Sequence, residues 1–282
     1  MPYCSCLSVS IGITSLRLHR LHAVLYLRVR NMLWKLFKNT VRSKDCIWLC
    51  EEFSDATLGE VLVTILFLDA MMYFDIHTHH KPSCPDSTVY SYAMGDNLSR
   101  EGIKHCSVGI HPWYLTSENA EEQLKWLLQE VRRKDVVAIG ECGLDKLRGP
   151  SMPLQQTVFR ECVLLSEEKS LPLIVHTVKC TEELIRIKKE LKPHMPWIIH
   201  GFRGRREVAL EYIKHGFYLS FGEKFQEDAL RCVPFDRLFI ETDDSLLAIT
   251  AIYQKVAKSY GISMGLLMEH IASNFEKVLF LR

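Results

Sequence analysis

Asp75-Ile76-His77-Thr78-His79 stands at the end of a short apolar run that begins at Tyr73. The run reads as a buried β-strand, and side chains two apart on a strand project to the same side. His77 and His79 therefore converge where the strand ends, as a chelating pair for a divalent metal does. Taken alone, the pair reads equally well as two polar residues opening a loop. It gains meaning because Glu141, His176, His200 and Asp243 each stand at the end of a further apolar run.

Eight such runs follow one another: residues 73–77, 88–92, 105–110, 136–140, 173–175, 197–199, 217–221 and 238–240. Amphipathic or well-capped helical stretches separate most of them, at 118–133, 153–169, 181–191 and 203–215, and two more close the chain at 248–260 and 263–275. Between the first two runs there is only a proline-bearing loop, so the first crossover is trimmed. Alternating strands and helices predict an α/β fold, a closed parallel TIM-type (β/α)8 barrel. An open doubly wound sheet would carry a Gly-rich turn after its first strand, and none is present. In a barrel the C-terminal strand ends share one mouth, which would gather His77, His79, Glu141, His176, His200 and Asp243 around one point.

The 282 residues are 48% hydrophobic and 24% charged, with a net charge of +1, so any anion binding must come from local clusters. Ten cysteines show no metal-knuckle spacing, and Cys142, Cys162, Cys180 and Cys232 fit reduced thiols of a cytoplasmic protein. Residues 1–70 differ from the rest. From Arg17 to Lys44 there are eight Lys or Arg and no Asp or Glu, with no clean helical period. This segment reads as an extension, disordered or upstream of the true start, with an organelle presequence or an accessory helix as alternatives. Residues 71–282 carry the barrel. The apolar run 61–68 is far short of the ~20 residues a spanning helix needs, so no membrane association is expected.

Four imidazoles and two carboxylates exceed the needs of one ion. A four-coordinate catalytic zinc takes three protein ligands and leaves a position for water. The surplus points to two divalent ions about 3.5–4 Å apart with a shared carboxylate, an arrangement that suits in-line phosphoryl displacement. Glu141, between the two histidine sets in chain order, is the natural bridge. Asp243 can bind an ion and take a proton from the attacking water. The donor types suit Zn, Mg or Mn without choosing among them.

These pieces together resemble the TatD-related family of metal-dependent deoxyribonucleases. The matching stretches are Asp75-Ile-His77-Thr-His79, Gly109-Ile-His111-Pro112, Ile139-Gly-Glu141-Cys-Gly143-Leu-Asp145, Leu171-Pro-Leu-Ile-Val-His176, His200-Gly-Phe202-Arg-Gly204, Glu241-Thr-Asp243, and Asn274 with Leu279-Phe280. The resemblance implies that His77, His79, Glu141 and Asp243 serve one ion and that Glu141, His176 and His200 serve the other. It also implies attack of a metal-bound water on DNA phosphodiesters, with single strands or 3′ ends as partners and 3′–5′ exonuclease action. His111 is expected on the substrate side. The arginine usual two residues after the third histidine is here Val178, so Lys179 is expected to supply that charge. Arg203 is expected to hold phosphate from a helix N-terminus. Trp113 and Tyr114 would stack a base or form a lid. An alternative activity on the same barrel is a two-metal amidohydrolase or esterase acting on a small carbonyl substrate. The oligomeric state is not readable from these features.

Overall fold

The structure is a computed structural model and describes residues 72–96 and 99–280. The expectations for residues 1–70 lie outside the described residues.

Eight parallel strands pair in chain order: β1 (Asp75–Thr78), β2 (Thr88–Ala93), β3 (His105–Gly109), β4 (Val136–Asp145), β5 (Leu173–Val178), β6 (Trp197–Ile199), β7 (Tyr218–Phe221) and β8 (Leu238–Ile240). Among the described residues seven α-helices accompany them: α1 (Ala120–Glu130), α2 (Met152–Lys169), α3 (Thr181–Leu191), α4 (Arg206–Lys214), α5 (Glu227–Arg231), α6 (Ile249–Tyr260) and α7 (Met264–Leu279). The fold is the expected TIM-type barrel, nearly closed. Its last seam is made beyond β8: the Asp243 N–H donates to the His77 carbonyl at 2.9 Å, and the His79 N–H donates to the Asp243 carbonyl at 3.2 Å. Asp75 reinforces the seam, accepting from the Thr242 N–H at 3.0 Å and from its hydroxyl at 2.6 Å.

Two apolar layers fix the strands. Between sheet and helices lies a core that includes Phe159, Trp197, Tyr212, Phe217 and Tyr253. A smaller cluster of Ile76, Val89, Val137, Ala138, Ile174, Ile198, Tyr218 and Phe239 also takes in Phe275, Val278 and Leu279 of α7. Asn274 ties α7 to the start of the chain's last strand by donating to the Phe235 and Leu238 carbonyls at 2.6 and 2.8 Å.

Period two then places the site. Ile174, Ile198 and Phe239 belong to the inner cluster, and His176, His200 and Glu241 follow each by two residues on the same side. Each of these three strands thus contributes an apolar residue below and a polar one above.

Several boundaries differ from the sequence reading. β4 runs five residues beyond Gly140, to Asp145, and so carries Glu141 inside a strand rather than after it. Gly143 permits this: its φ is +155°, and a Cβ there would collide with the His176 carbonyl on β5. Helix α4 begins at Arg206, so Arg203 stands in the preceding loop and not in a helical first turn. The short α5 carries no long amphipathic period and was not legible.

Candidate metal centre

The six expected donors meet at the mouth. Glu141 is the hub, with each carboxylate oxygen facing a different group. Oε2 lies 3.4 Å from Nε2 of His77 and 3.4 Å from Nε2 of His79. Oδ1 of Asp243 is 3.7 Å from both of those nitrogens. Oε1 lies 2.7 Å from Nε2 of His200 and 2.8 Å from Nδ1 of His176, and these nitrogens are 3.5 Å apart.

The donor chemistry fits a cation. Among the described residues, neither ring nitrogen of the fully buried His77 has a hydrogen-bond partner, and Nδ1 of His200 and Oε2 of Glu241 are likewise buried and unpartnered. Buried polar atoms are normally satisfied. Donor atoms within 4.8 Å of one another form overlapping sets: His77–Glu141–His200, His77–His79–Asp243, His111–Glu141–His176 and His200–Glu241–Asp243.

Charge is strongly coupled. Burial opposes ionisation of Glu141, but His200 and hydrogen bonds from three imidazoles outweigh it and hold the carboxyl well below its usual range. His200 is buried too, yet Glu141 and Glu241 hold its imidazole well above the usual value. Asp243 is raised by burial and by Glu241. Its backbone has φ +53°, in the left-handed region that aspartate enters more readily than most residues, kept by the two seam hydrogen bonds that flank it.

The substrate-side expectations fare unevenly. His111 does not line the opening. It is buried, its Nδ1 accepts from the Trp113 N–H at 3.0 Å, and its Nε2 lies 3.0 Å from Oε1 of Glu141. Arg203 reaches the mouth, with Nη2 3.9 Å from Oδ2 of Asp243 and the side chain 61% exposed. It lines a cavity of about 130 Å³ together with Gly201, Lys224, Asp243, Asp244 and Ser245. Lys179 is not brought in: it is exposed, has φ +55°, and makes no hydrogen bond or ion pair among the described residues. Trp113 donates its indole N–H to Asp145 at 2.6 Å and carries the Arg148 guanidinium 4.0 Å over its ring. Tyr114, at 60% exposure, is the open aromatic.

Two acids at the site were not singled out from the sequence. Asp145 lies 3.2 Å from Nε2 of His176. Glu241 accepts from the Gly201 N–H at 2.5 Å and lies 3.6 Å from Nδ1 of His200. The signal was the same period of two that joins His77 to His79: Asp145 follows Glu141 by four, and Glu241 precedes Asp243 by two.

A parallel barrel with imidazoles and carboxylates at the C-terminal strand ends has an amidohydrolase-like fold. The model of the TatD-related DNases matches residues 84–280, and the chain belongs to that family. It is 38% identical over 148 residues to YabD of Bacillus subtilis strain 168, named an uncharacterized metal-dependent hydrolase, across 49% of this chain and 58% of that one. It is 32% identical over 163 residues to the 3′-5′ ssDNA/RNA exonuclease TatD of Erwinia tasmaniensis, across 52% of this chain and 61% of that one. The chain thus spans less than two thirds of the length of these two relatives. The crystal structure of YjjV, a TatD homologue of Escherichia coli K12, superposes with a TM-score of 0.62 at 22% identity, over 73% of this chain and 98% of that one.

Proposed function

We propose that residues 71–282 form a two-metal phosphodiesterase that removes nucleotides from the 3′ end of single-stranded DNA. The observation that carries this reading is the division of Glu141, one oxygen toward His77 and His79 and the other toward His176 and His200. His77, His79 and Asp243 would hold one divalent ion, His176 and His200 the second, and Glu141 both. Bound ions would supply Lewis acidity, activating water and neutralising the charge of the phosphodiester.

The chain's own residues do the rest. Oδ1 of Asp243 faces the two histidines, while Oδ2 faces Arg203 and the opening. Oδ2 is therefore the atom placed to take the proton from the attacking water. Arg203 takes a non-bridging phosphate oxygen, and Tyr114 offers a face on which the terminal base stacks. His111, by donating Nε2–H to Oε1, keeps the bridging carboxylate in one orientation.

The free cysteines Cys106, Cys142, Cys162 and Cys180 are buried, which supports a reducing, cytoplasmic setting. No helix of the described residues is long and apolar enough to cross a membrane.

The test gives purified protein Mn²⁺, Mg²⁺ or Zn²⁺ with an oligonucleotide labelled at its 5′ end. Stepwise shortening that disappears in Glu141→Ala supports the reading. Absence of cleavage with every metal, together with turnover of an ester or amide panel, replaces it with the carbonyl hydrolase.

A further inference from the structure

A closed circuit of hydrogen bonds surrounds one side of Glu141. Oε1 of Glu141 meets Nε2 of His111 at 3.0 Å. Nδ1 of His111 accepts from the Trp113 backbone N–H at 3.0 Å. The Trp113 indole N–H donates to Oδ2 of Asp145 at 2.6 Å. The same oxygen lies 3.2 Å from Nε2 of His176, whose Nδ1 returns to Oε1 of Glu141 at 2.8 Å.

Asp145 is built into this circuit from every direction. Its Oδ1 accepts from the Leu147 and Arg148 N–H groups at 2.7 and 3.0 Å. Gln155 clamps its backbone, accepting from the Asp145 N–H at 2.8 Å and donating to its carbonyl at 3.0 Å. The residue is 3% exposed. Burial resists its ionisation, but the Trp113, Leu147 and His176 donors prevail and keep it below the usual carboxylate range. Among the described residues it belongs to none of the donor sets close enough to share an ion.

Trp113 is equally fixed. Its ring packs edge-on against His111 at 4.9 Å and His176 at 5.5 Å between centroids, and Arg148 covers it. So rigid an aromatic suits a support better than a base-stacking platform.

We infer that Asp145 and Trp113 are positioning residues for the metal on the His176 side. Asp145 accepts Nε2–H of His176, which fixes the ring so that Nδ1, hydrogen-bonded to Glu141 here, would face the ion once its proton is displaced. Such outer carboxylates orient ligating histidines and raise their basicity, and their loss typically costs 10- to 100-fold in metal affinity. Trp113 holds the acceptor oxygen in place. His111, on the other arm, fixes Oε1. This inference rests on the two-metal reading.

The test is a Mn²⁺ titration of the full chain followed by calorimetry and by electron paramagnetic resonance, for wild type, Asp145→Asn and Trp113→Phe. Asp145→Asn is expected to weaken one of two ions about 10- to 100-fold and to spare the other. Trp113→Phe keeps the ring, loses the indole donor, and is expected to weaken the same ion about 2- to 10-fold, the factor one hydrogen bond contributes. Trp113→Phe also serves if Asp145→Asn does not fold. Wild-type affinity for both ions in the variants that fold overturns the inference while leaving the two-metal reading intact. Equal weakening of both ions also overturns it, because a merely structural role would do that. A wild type that takes up no Mn²⁺ overturns the two-metal reading, and the inference with it.

Discussion

The two sides of Glu141 are built differently. On the Oε1 side, His111, His176 and Asp145 are each at most 8% exposed, and Asp145, Gln155 and Trp113 brace them. On the Oε2 side, the His79 side chain is 36% exposed and that of Asp243 is 20% exposed. Among the described residues, His77 there has no hydrogen-bond partner at either nitrogen. One side is braced before any ligand arrives. The other keeps His77 fully buried but opens to solvent at His79 and Asp243, beside Arg203. The difference teaches that one carboxylate can join a rigid half, suited to holding an ion, to an open half, suited to admitting substrate.

Removing the shared element should abolish the distinction. Glu141→Ala is expected to lower activity by about a thousandfold or more, because the ligands of both ions and their alignment are lost together. Metal content by mass spectrometry should fall in parallel. Near-normal activity in that variant would break the comparison at its root.

The next effect separates the halves by stability. His200→Ala leaves Glu241 buried beside an empty space, and breaking a buried ion pair costs about 3–5 kcal/mol. His79→Ala, on the open side, should cost under about 1 kcal/mol. Thermal unfolding of the metal-free proteins checks both, and equal losses would erase the asymmetry. Gly143→Ala should cost about 1–3 kcal/mol through backbone collision with His176 and strain at φ +155°. It should also depress the braced side selectively.

A smaller effect tests the open side. Glu223, Glu241, Asp243 and Asp244 line the cavity there against Arg203 and Lys224. Single-stranded DNA is therefore expected to bind only when divalent ions are present, and Arg203→Ala to raise KM several-fold with little change in kcat. Fluorescence anisotropy and steady-state kinetics read these out.

The smallest effect lies away from the mouth. Lys188 sits 4.8 Å over the rings of Trp197 and Phe217, and burial lowers its amine to about 8. An unfolded lysine titrates near ~10.4, so between those values the unfolded chain holds more protons than the folded one, and stability rises with pH. The penalty is fully present below pH 8. Lys188→Met should raise stability by about 1–2 kcal/mol at pH 7, with the gain fading toward pH 10 and hydrolytic activity unchanged. Melting curves across that range decide it.

Much of this was legible in the sequence because a parallel barrel imposes one rule on every strand. The period of two placed His77 with His79, and apolar runs ending in His176, His200 and Asp243 announced the mouth. What escaped depended on contacts between elements. The extension of β4 to Asp145 requires the close approach of Gly143 to β5, which no single-strand pattern reveals. His111 faces Glu141 because the Trp113 N–H captures its other nitrogen, a local turn invisible to periodicity. Lys179, itself left-handed at φ +55° one residue past β5, stays exposed.

The central claim is that two ions share Glu141. Electron paramagnetic resonance of the Mn²⁺-loaded full chain tests it most directly. Two ions per chain with an exchange-coupled spectrum, reduced to uncoupled signals in Glu141→Ala, is the predicted result. A single uncoupled ion in the wild type at saturating Mn²⁺ would contradict it.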